Sequence, residues 1–291
     1  MSILQTVTKG KIKRPHLMII YGVAGVGKTT FAASAPSPIF LCAEDGTNNL
    51  DVARIRGIQD WEEIKEFLLE LHTEKHSYKT LVIDSIDWLE QILFQKICGK
   101  EGVKNIENAC GGYGKAYTVA YNEFKIFINS INVLRSDGMN IVLIAHSQIS
   151  KFSDPQNQSE YNRYEMKLSK KNAELFKEYV DCVLFANYEL SFSKQGNKTR
   201  VFGEGNRFLY TENRPGYDAK NRFSLPEQIS LNWPEYASCI ESDIDVLKSQ
   251  INDLLVHTTD KDLKEKVAKA IVGADIKKLE NIKIKLEEKI K

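Results

Sequence analysis

The segment Gly22-Val23-Ala24-Gly25-Val26-Gly27-Lys28-Thr29 matches G-x-x-x-x-G-K-[ST] at every fixed position, and it constrains the fold more than any other stretch of the chain. The apolar run from Leu17 to Tyr21 precedes it and Thr30-Phe31-Ala32-Ala33-Ser34 follows. The motif therefore lies between a predicted strand and a predicted helix, the setting in which it acts as a phosphate-binding loop. Glycines at 22, 25 and 27 allow a tight turn whose N–H groups point inward with no Cβ in the way. On this reading residues Gly22 to Thr30 hold ATP. Lys28 reaches the β- and γ-phosphates, Thr29 gives its hydroxyl to Mg²⁺, and the helix that follows turns its positive end toward the anion. A glycine-rich turn that matches by chance is the competing reading, and an acid-ending strand further on argues against it.

The 291 residues suffice for one large α/β core and a smaller appendage, since domains commonly run about 100–200 residues. A net charge of +1 gives a weak global field, so any nucleic-acid surface has to be a local patch. Cys42, Cys98, Cys110, Cys182 and Cys239 are odd in number and form no C-x-x-C pair, which argues against a disulfide framework and a zinc site. No signal-peptide pattern is visible and no apolar run approaches the ~20 residues that span a bilayer. The expectation is a soluble, cytoplasmic protein with no membrane partner.

Residues 1–14 are polar and basic (Lys9, Lys11, Lys13, Arg14) and read as an arm ending at Pro15. The core is expected over 15–238. Ile39 to Ala43 is a second buried strand between breakers, with Glu44, Asp45 and Gly46 at its carboxyl end. Asp60 and Glu63 form a capping-box pattern ahead of Trp61, Ile64, Phe67, Leu68 and Leu71 at helical spacing. Leu81-Val82-Ile83-Asp84-Ser85 is a third strand, apolar until its terminal carboxylate, the Walker B pattern. The next helix carries Ile86, Leu89, Leu93 and Ile97, and its periodicity fails between Gly99 and Gly114. A long helix runs from about Ala116 to Arg135, and Ile141 to Ala145 is a fourth strand that ends at His146. Residues 149–170 show almost no apolar period and read as a second long surface loop. Cys182 to Leu190, Thr199 to Phe202 and Arg207 to Thr211 read as β, so antiparallel strands extend a mostly parallel sheet. Residues 239–291 mix Lys with acids and carry three narrow apolar stripes, the pattern of a helical appendage.

Ligands of open α/β sheets bind outside the carboxyl ends of the strands. The P-loop, Glu44, Asp84 and His146 should therefore converge. Asp84 would accept from the waters of a bound Mg²⁺. Glu44, with Asp45 as its rival, would orient and deprotonate the attacking water, and His146 would donate to the γ-phosphate. For each of these a plain structural role, as a cap, a solvated turn or a packed histidine, stands as the alternative.

This order of motifs resembles the RecA-like recombination ATPases, and most closely the phage-encoded single-strand annealing ATPases of the Sak type, over roughly residues 15–235. The resemblance implies a RecA-like P-loop core with Glu44 as catalytic base and His146 in the position of the γ-phosphate sensor, where the family commonly has Gln. It also implies two DNA-binding loops, matching Gly99 to Lys115 and Lys151 to Lys171. Lys220-Asn221-Arg222 resembles the K-x-K or K-x-R segment that such ATPases insert into the neighbouring protomer's site. Two cations at i, i+2 on an extended segment face one way and can meet one triphosphate.

Tyr113, Lys115, Lys151, Phe152, Tyr161, Arg163, Tyr164 and Lys167 interleave cations with aromatic rings across the two loops. Single-stranded nucleic acid is held by that combination. The expectation is a Mg²⁺-dependent ATPase acting on single-stranded DNA in recombination or annealing. It would assemble as a ring or filament with shared ATP sites, and a single-strand-binding protein would be a natural accessory. A replicative-helicase motor, a nucleotide-switched interaction protein and a small-molecule kinase are the alternatives. The last is disfavoured because the arginines form no compact lid cluster.

Overall fold

The computed structural model describes residues 7, 14–43, 46–55, 57–154, 159–189, 191–195, 198–203, 205–240, 243–256, 258, 260–272, 274 and 276–290. Most of the basic arm, the Glu44-Asp45 pair, residues 155–158 and the centre of the Gln195-Gly196-Asn197 turn lie outside the described residues. The chain divides into two compact units, 1–233 and 234–291.

In the first unit β1 (Leu17–Gly22) leads into α1 (Lys28–Ala33), β2 (Pro38–Cys42), β3 (Ala53–Ile55), α2 (Trp61–Thr73), β4 (Thr80–Asp84) and α3 (Ile86–Glu101). A 3-10 turn at Ile106–Gly111 precedes α4 (Lys115–Ser136), β5 (Asn140–Asp154), β6 (Ser159–Met166) and α5 (Lys170–Tyr179). Then come β7 (Cys182–Tyr188), β8 (Ser191–Gln195), β9 (Lys198–Phe202), β10 (Arg207–Tyr210), β11 (Lys220–Asn221) and β12 (Gln228–Ser230). The short helix α6 (Trp233–Ile240) begins at the unit boundary, and α7 (Asp243–Val256), α8 (Lys261–Ala270) and α9 (Ile276–Ile290) build the second unit around Ile251, Leu255, Val267, Leu279 and Leu286.

The main sheet runs β12-β10-β7-β1-β5-β4-β2-β3. β3, β2, β4, β5, β1 and β7 pair in parallel, while β10 and β11 join β7, and β12 joins β10, antiparallel. β1 is an unbroken apolar run because both its neighbours are parallel and both its faces are covered; all six of its residues are buried. On one side of the sheet α2 starts with the expected capping box and buries Trp61, Ile64, Phe67, Leu68 and Leu71. The Trp61 indole N–H donates to Glu123 of α4 at 3.0 Å, and its ring meets Phe124 edge-on at 5.4 Å. Phe124 in turn packs on Phe176 of α5 at 5.1 Å.

The stretch 149–170 is not a loop. β5 continues past the sheet and pairs antiparallel with β6 from Ser147↔Met166 to Asp154↔Ser159, forming a two-stranded ribbon, and α5 follows directly. The more covered side of the ribbon carries Gln148, Ser150, Phe152, Tyr161, Arg163 and Glu165 in place of an apolar stripe, so its arms show almost no apolar alternation. Cross-strand pairs hold it instead: the Phe152 and Tyr161 rings meet at 5.4 Å, tilted by 43°, and Ser150 donates to Glu165 at 2.7 Å.

Candidate nucleotide site

The P-loop takes its shape from strand contact as much as from its own residues. A Cβ at Gly22 would lie 2.0 Å from the carbonyl oxygen of Ala186 on β7, so β1 can approach β7 only as glycine. Gly27 has φ 108° and opens α1 in the left-handed region that favours glycine. Lys28 is buried, and its ammonium donates to the carbonyls of Gly22 at 3.0 Å and Val23 at 3.1 Å. The Thr29 hydroxyl donates to Asp84 Oδ2 at 2.8 Å. The hydroxyl and carboxylate that would share a hydrated Mg²⁺ are thus already in contact, and the donor set fits the ion. No cluster of three His, Cys, Asp or Glu side chains able to hold a metal occurs among the described residues, so such an ion would complete its shell with water and phosphate oxygens.

Two braces on this loop escape a reading of local motifs. The Tyr188 hydroxyl, at the carboxyl end of β7, donates to Gly25 O at 3.1 Å, and the Arg207 guanidinium on β10 donates to Val26 O at 3.3 Å. Only the strand order brings these residues to the P-loop.

Parallel register gathers the remaining strand ends. Gly22 pairs with His146, Asp84 with Ile144, and Cys42 with Asp84. Ala43 N donates to Asp84 O at 2.9 Å, so the residue that follows β2 lies beside the Asp84 backbone. Glu44 and Asp45, the candidate bases, lie outside the described residues. His146 is held by a residue the sequence reading missed: its backbone N–H donates to Asp87 Oδ1 at 3.0 Å, and its Nδ1 lies 2.9 Å from Asp87 Oδ2. Burial pushes the Asp87 carboxyl up, but the side-chain and backbone bonds from His146 prevail and hold it below the usual carboxylate range. One helical turn later Glu90 accepts from Ser169 N, Ser169 Oγ and Asn172 Nδ2. The only sequence sign of either acid was a charge on the side of α3 that also carries Ile86, Leu89 and Leu93.

The candidate DNA contacts divide into two groups. Tyr113 is fully exposed (100%) at the tip of the first loop. With Lys115 it lines a cleft of about 500 Å³ shared with Lys170 and Lys171 of α5. Lys151 and Phe152 of the ribbon line a second cleft of about 620 Å³ that also reaches Lys170. Lys167 is exposed between them. Arg163 and Tyr164, by contrast, belong to the interior. Arg163 is 8% exposed, bonded to Asn213 and to Tyr217 O, with its guanidinium 5.2 Å from the centre of the Phe152 ring. The Tyr164 ring packs on Phe185 at 5.1 Å, and its carbonyl lies 3.3 Å from the Tyr21 hydroxyl. Expecting a loose loop made every side chain look accessible; strand pairing turned Arg163 inward and set the Tyr164 ring against Phe185.

Lys220 and Arg222 sit at the other end of the sheet. β11 pairs with Cys182 and Val183 at the amino end of β7, whereas the P-loop meets β7 at Ala186. Their spacing does put both cations on one side, but what they meet there is the C-terminus of α5. The Lys220 ammonium donates to the carbonyls of Lys177 (2.6 Å), Glu178 (3.0 Å) and Val180 (2.8 Å). It is a helix cap, and burial together with the neighbouring Arg222 lowers its pKa. Arg222 stays over half exposed, 3.8 Å from Asp181. The expected pair of projecting cations is therefore reduced to Arg222, because α5, absent from the sequence reading, ends beside Lys220.

A parallel sheet with one strand between the P-loop strand and the strand bearing the Mg²⁺ carboxylate, and with antiparallel strands extending its edge, defines a RecA-like P-loop NTPase. The chain belongs to the AAA domain family, whose match covers residues 14–223. It is 24% identical over 140 residues to the SPbeta prophage-derived uncharacterized protein YorG of Bacillus subtilis (strain 168), covering 46% of this chain and 42% of that protein. The match thus spans less than half of that relative. Among solved structures it is similar to a KaiC-like protein of Pyrococcus horikoshii OT3 (14% identity, 69% of this chain and 80% of that one, TM-score 0.35). It is also similar to the flagellar accessory protein FlaH of Methanocaldococcus jannaschii (13% identity, 76% and 86%, TM-score 0.34). Neither likeness bears on activity. No helix among the described residues is long and apolar enough to cross a membrane.

Proposed function

We propose that the protein is a Mg²⁺-dependent ATPase that acts on single-stranded DNA in recombination or strand annealing and completes its ATP sites between subunits. One observation carries the DNA reading. Two separate segments with cations and aromatic rings, Tyr113-Lys115 and the Lys151-Phe152 arm of the ribbon, open onto clefts that share Lys170, on a ribbon that leaves the sheet one residue after His146. Cations can hold a phosphate backbone there while rings stack on bases. The prophage-derived relative is consistent with a phage setting.

In this reading the P-loop N–H groups and Lys28 bind the phosphates, and Thr29 with Asp84 holds the ion, which neutralises developing charge on the phosphates. Glu44, the residue after Ala43, takes the proton of the attacking water, with Asp45 as the alternative base. His146 meets the γ-phosphate, and Arg222 serves the site of a neighbouring subunit. Arg222 suits the task by its forked donors, and its place beside Asp181 at the amino end of β7, about 16 Å of strand from the P-loop's contact with that strand, keeps it from its own site.

Filter binding of single-stranded DNA, with and without ATP across a salt titration, tests the proposal. Affinity that falls with salt and responds to nucleotide supports it. No binding at low salt overturns it.

A further inference from the structure

α3 begins two residues after Asp84 and carries Asp87 and Glu90, which at i, i+3 share one side of the helix. All three carboxylates are almost wholly buried, at 4, 5 and 3% exposure. A buried carboxylate is costly unless bonded, and each has a specific partner: Thr29 for Asp84, His146 for Asp87, Ser169 and Asn172 for Glu90. His146 and Ser169 bracket the ribbon. His146 is the residue from which β5 leaves the sheet, and Ser169 is where the chain returns into α5. Lys167 N donates to His146 O at 2.9 Å and closes the base between them. Both feet of the ribbon are thus tied to the helix that starts at the ion-binding carboxylate. Apolar side chains would pack α3 at least as well, so what these charges supply is orientation.

We propose that Asp87 and Glu90 are positioning residues that join the nucleotide site to the ribbon, an inference that rests on His146 facing nucleotide as assigned above. Asp87 accepts from Nδ1–H of His146, which leaves Nε2 as the ring nitrogen that faces a phosphate, donating to it in the imidazolium form. Glu90 anchors the other foot, so a shift of His146 moves the ribbon as one body.

The test uses the full chain, a non-hydrolysable ATP analogue with Mg²⁺, and hydrogen exchange in the ribbon arms 147–154 and 159–166, alongside steady-state ATPase. In the wild type the analogue changes exchange in both arms. Glu90→Gln binds the analogue and hydrolyses ATP within about two-fold of wild type, yet its ribbon no longer responds. Asp87→Asn keeps KM within about two-fold but loses about ten- to hundred-fold in kcat, as expected when a histidine loses the carboxylate that orients its ring and stabilises its imidazolium, and Asp87→Glu restores part of it. Should Glu90→Gln not fold, Ser169→Ala combined with Asn172→Ala removes both side-chain bonds to Glu90 and loses the same response. A ribbon that responds in Glu90→Gln as in the wild type, or Asp87→Asn with unchanged kcat, overturns the proposal. A wild type that binds no nucleotide overturns the ATPase reading instead, and this inference with it.

Discussion

The carboxyl and amino ends of the central strands carry similar residues put to different uses. At the carboxyl end, side chains from distant segments bond one another around the P-loop: Thr29 to Asp84, His146 to Asp87, with Tyr188 and Arg207 on loop carbonyls. Those bonds fix the loop through its carbonyls and through the Thr29 hydroxyl. At the amino end the cations are consumed by the chain. Lys220 closes α5, and Arg135 is fixed on Pro15 O and Asp181. Arg222, which donates to Glu178 O at 3.4 Å, is the exception only in staying over half exposed. A charged residue near a sheet end is therefore informative only once its internal partners are known.

The largest expected effect comes from that exception. Arg222→Ala lowers DNA-stimulated turnover by about 10³-fold, the scale of an arginine supplied to another subunit's phosphate, while its melting temperature stays put; wild-type turnover would remove the distinction between Arg222 and its neighbours. Lys28→Ala costs on the order of 10²–10³ in kcat through the loss of one preorganised donor, read in the same assay. Tyr113→Ala weakens single-stranded DNA by about 1–3 kcal/mol if its ring stacks on a base, measured by fluorescence anisotropy at fixed salt, with ATPase in the absence of DNA unaltered. Lys220→Met loses about 1 kcal/mol of stability, the scale of a cation at a helix C-terminus, seen as a lower urea midpoint.

The smallest effect is a pH dependence at the carboxyl end. The folded-state pKa of Asp87 is lowered, so its stabilisation is complete above the ordinary carboxylate value near ~4 and fades as pH falls through the lower folded value. The urea midpoint of the wild type should therefore approach that of Asp87→Asn only in acid. A gap between the two that is constant with pH would show that the bond to His146 does not favour the ionised carboxyl.

What the sequence discloses follows the range of the interaction. The P-loop, the Asp60-Glu63 capping box and the apolar strands β1 and β4 are local patterns, and all are present as read. The Asp87–His146 bond spans 59 residues and the Glu90–Ser169 bond 79, and no window of sequence contains either. α5 was missed for the same reason, since a tertiary carboxylate caps its start and Lys220 its end. Missing α5 then made Lys220 look available, while the ribbon looked like a loop because its arms carry almost no apolar period. Arg163 misled similarly: its partners Asn213, Tyr217 and Asp218 lie beyond the strands that bring them near.

The shared site is tested most directly by mixing two inactive variants, Lys28→Ala and Arg222→Ala, and following DNA-stimulated ATPase. A subunit with an intact P-loop can then meet one with an intact Arg222, so random assembly should restore about a quarter of wild-type activity. A mixture no more active than either variant alone, under conditions where the subunits exchange, would contradict a site built between subunits.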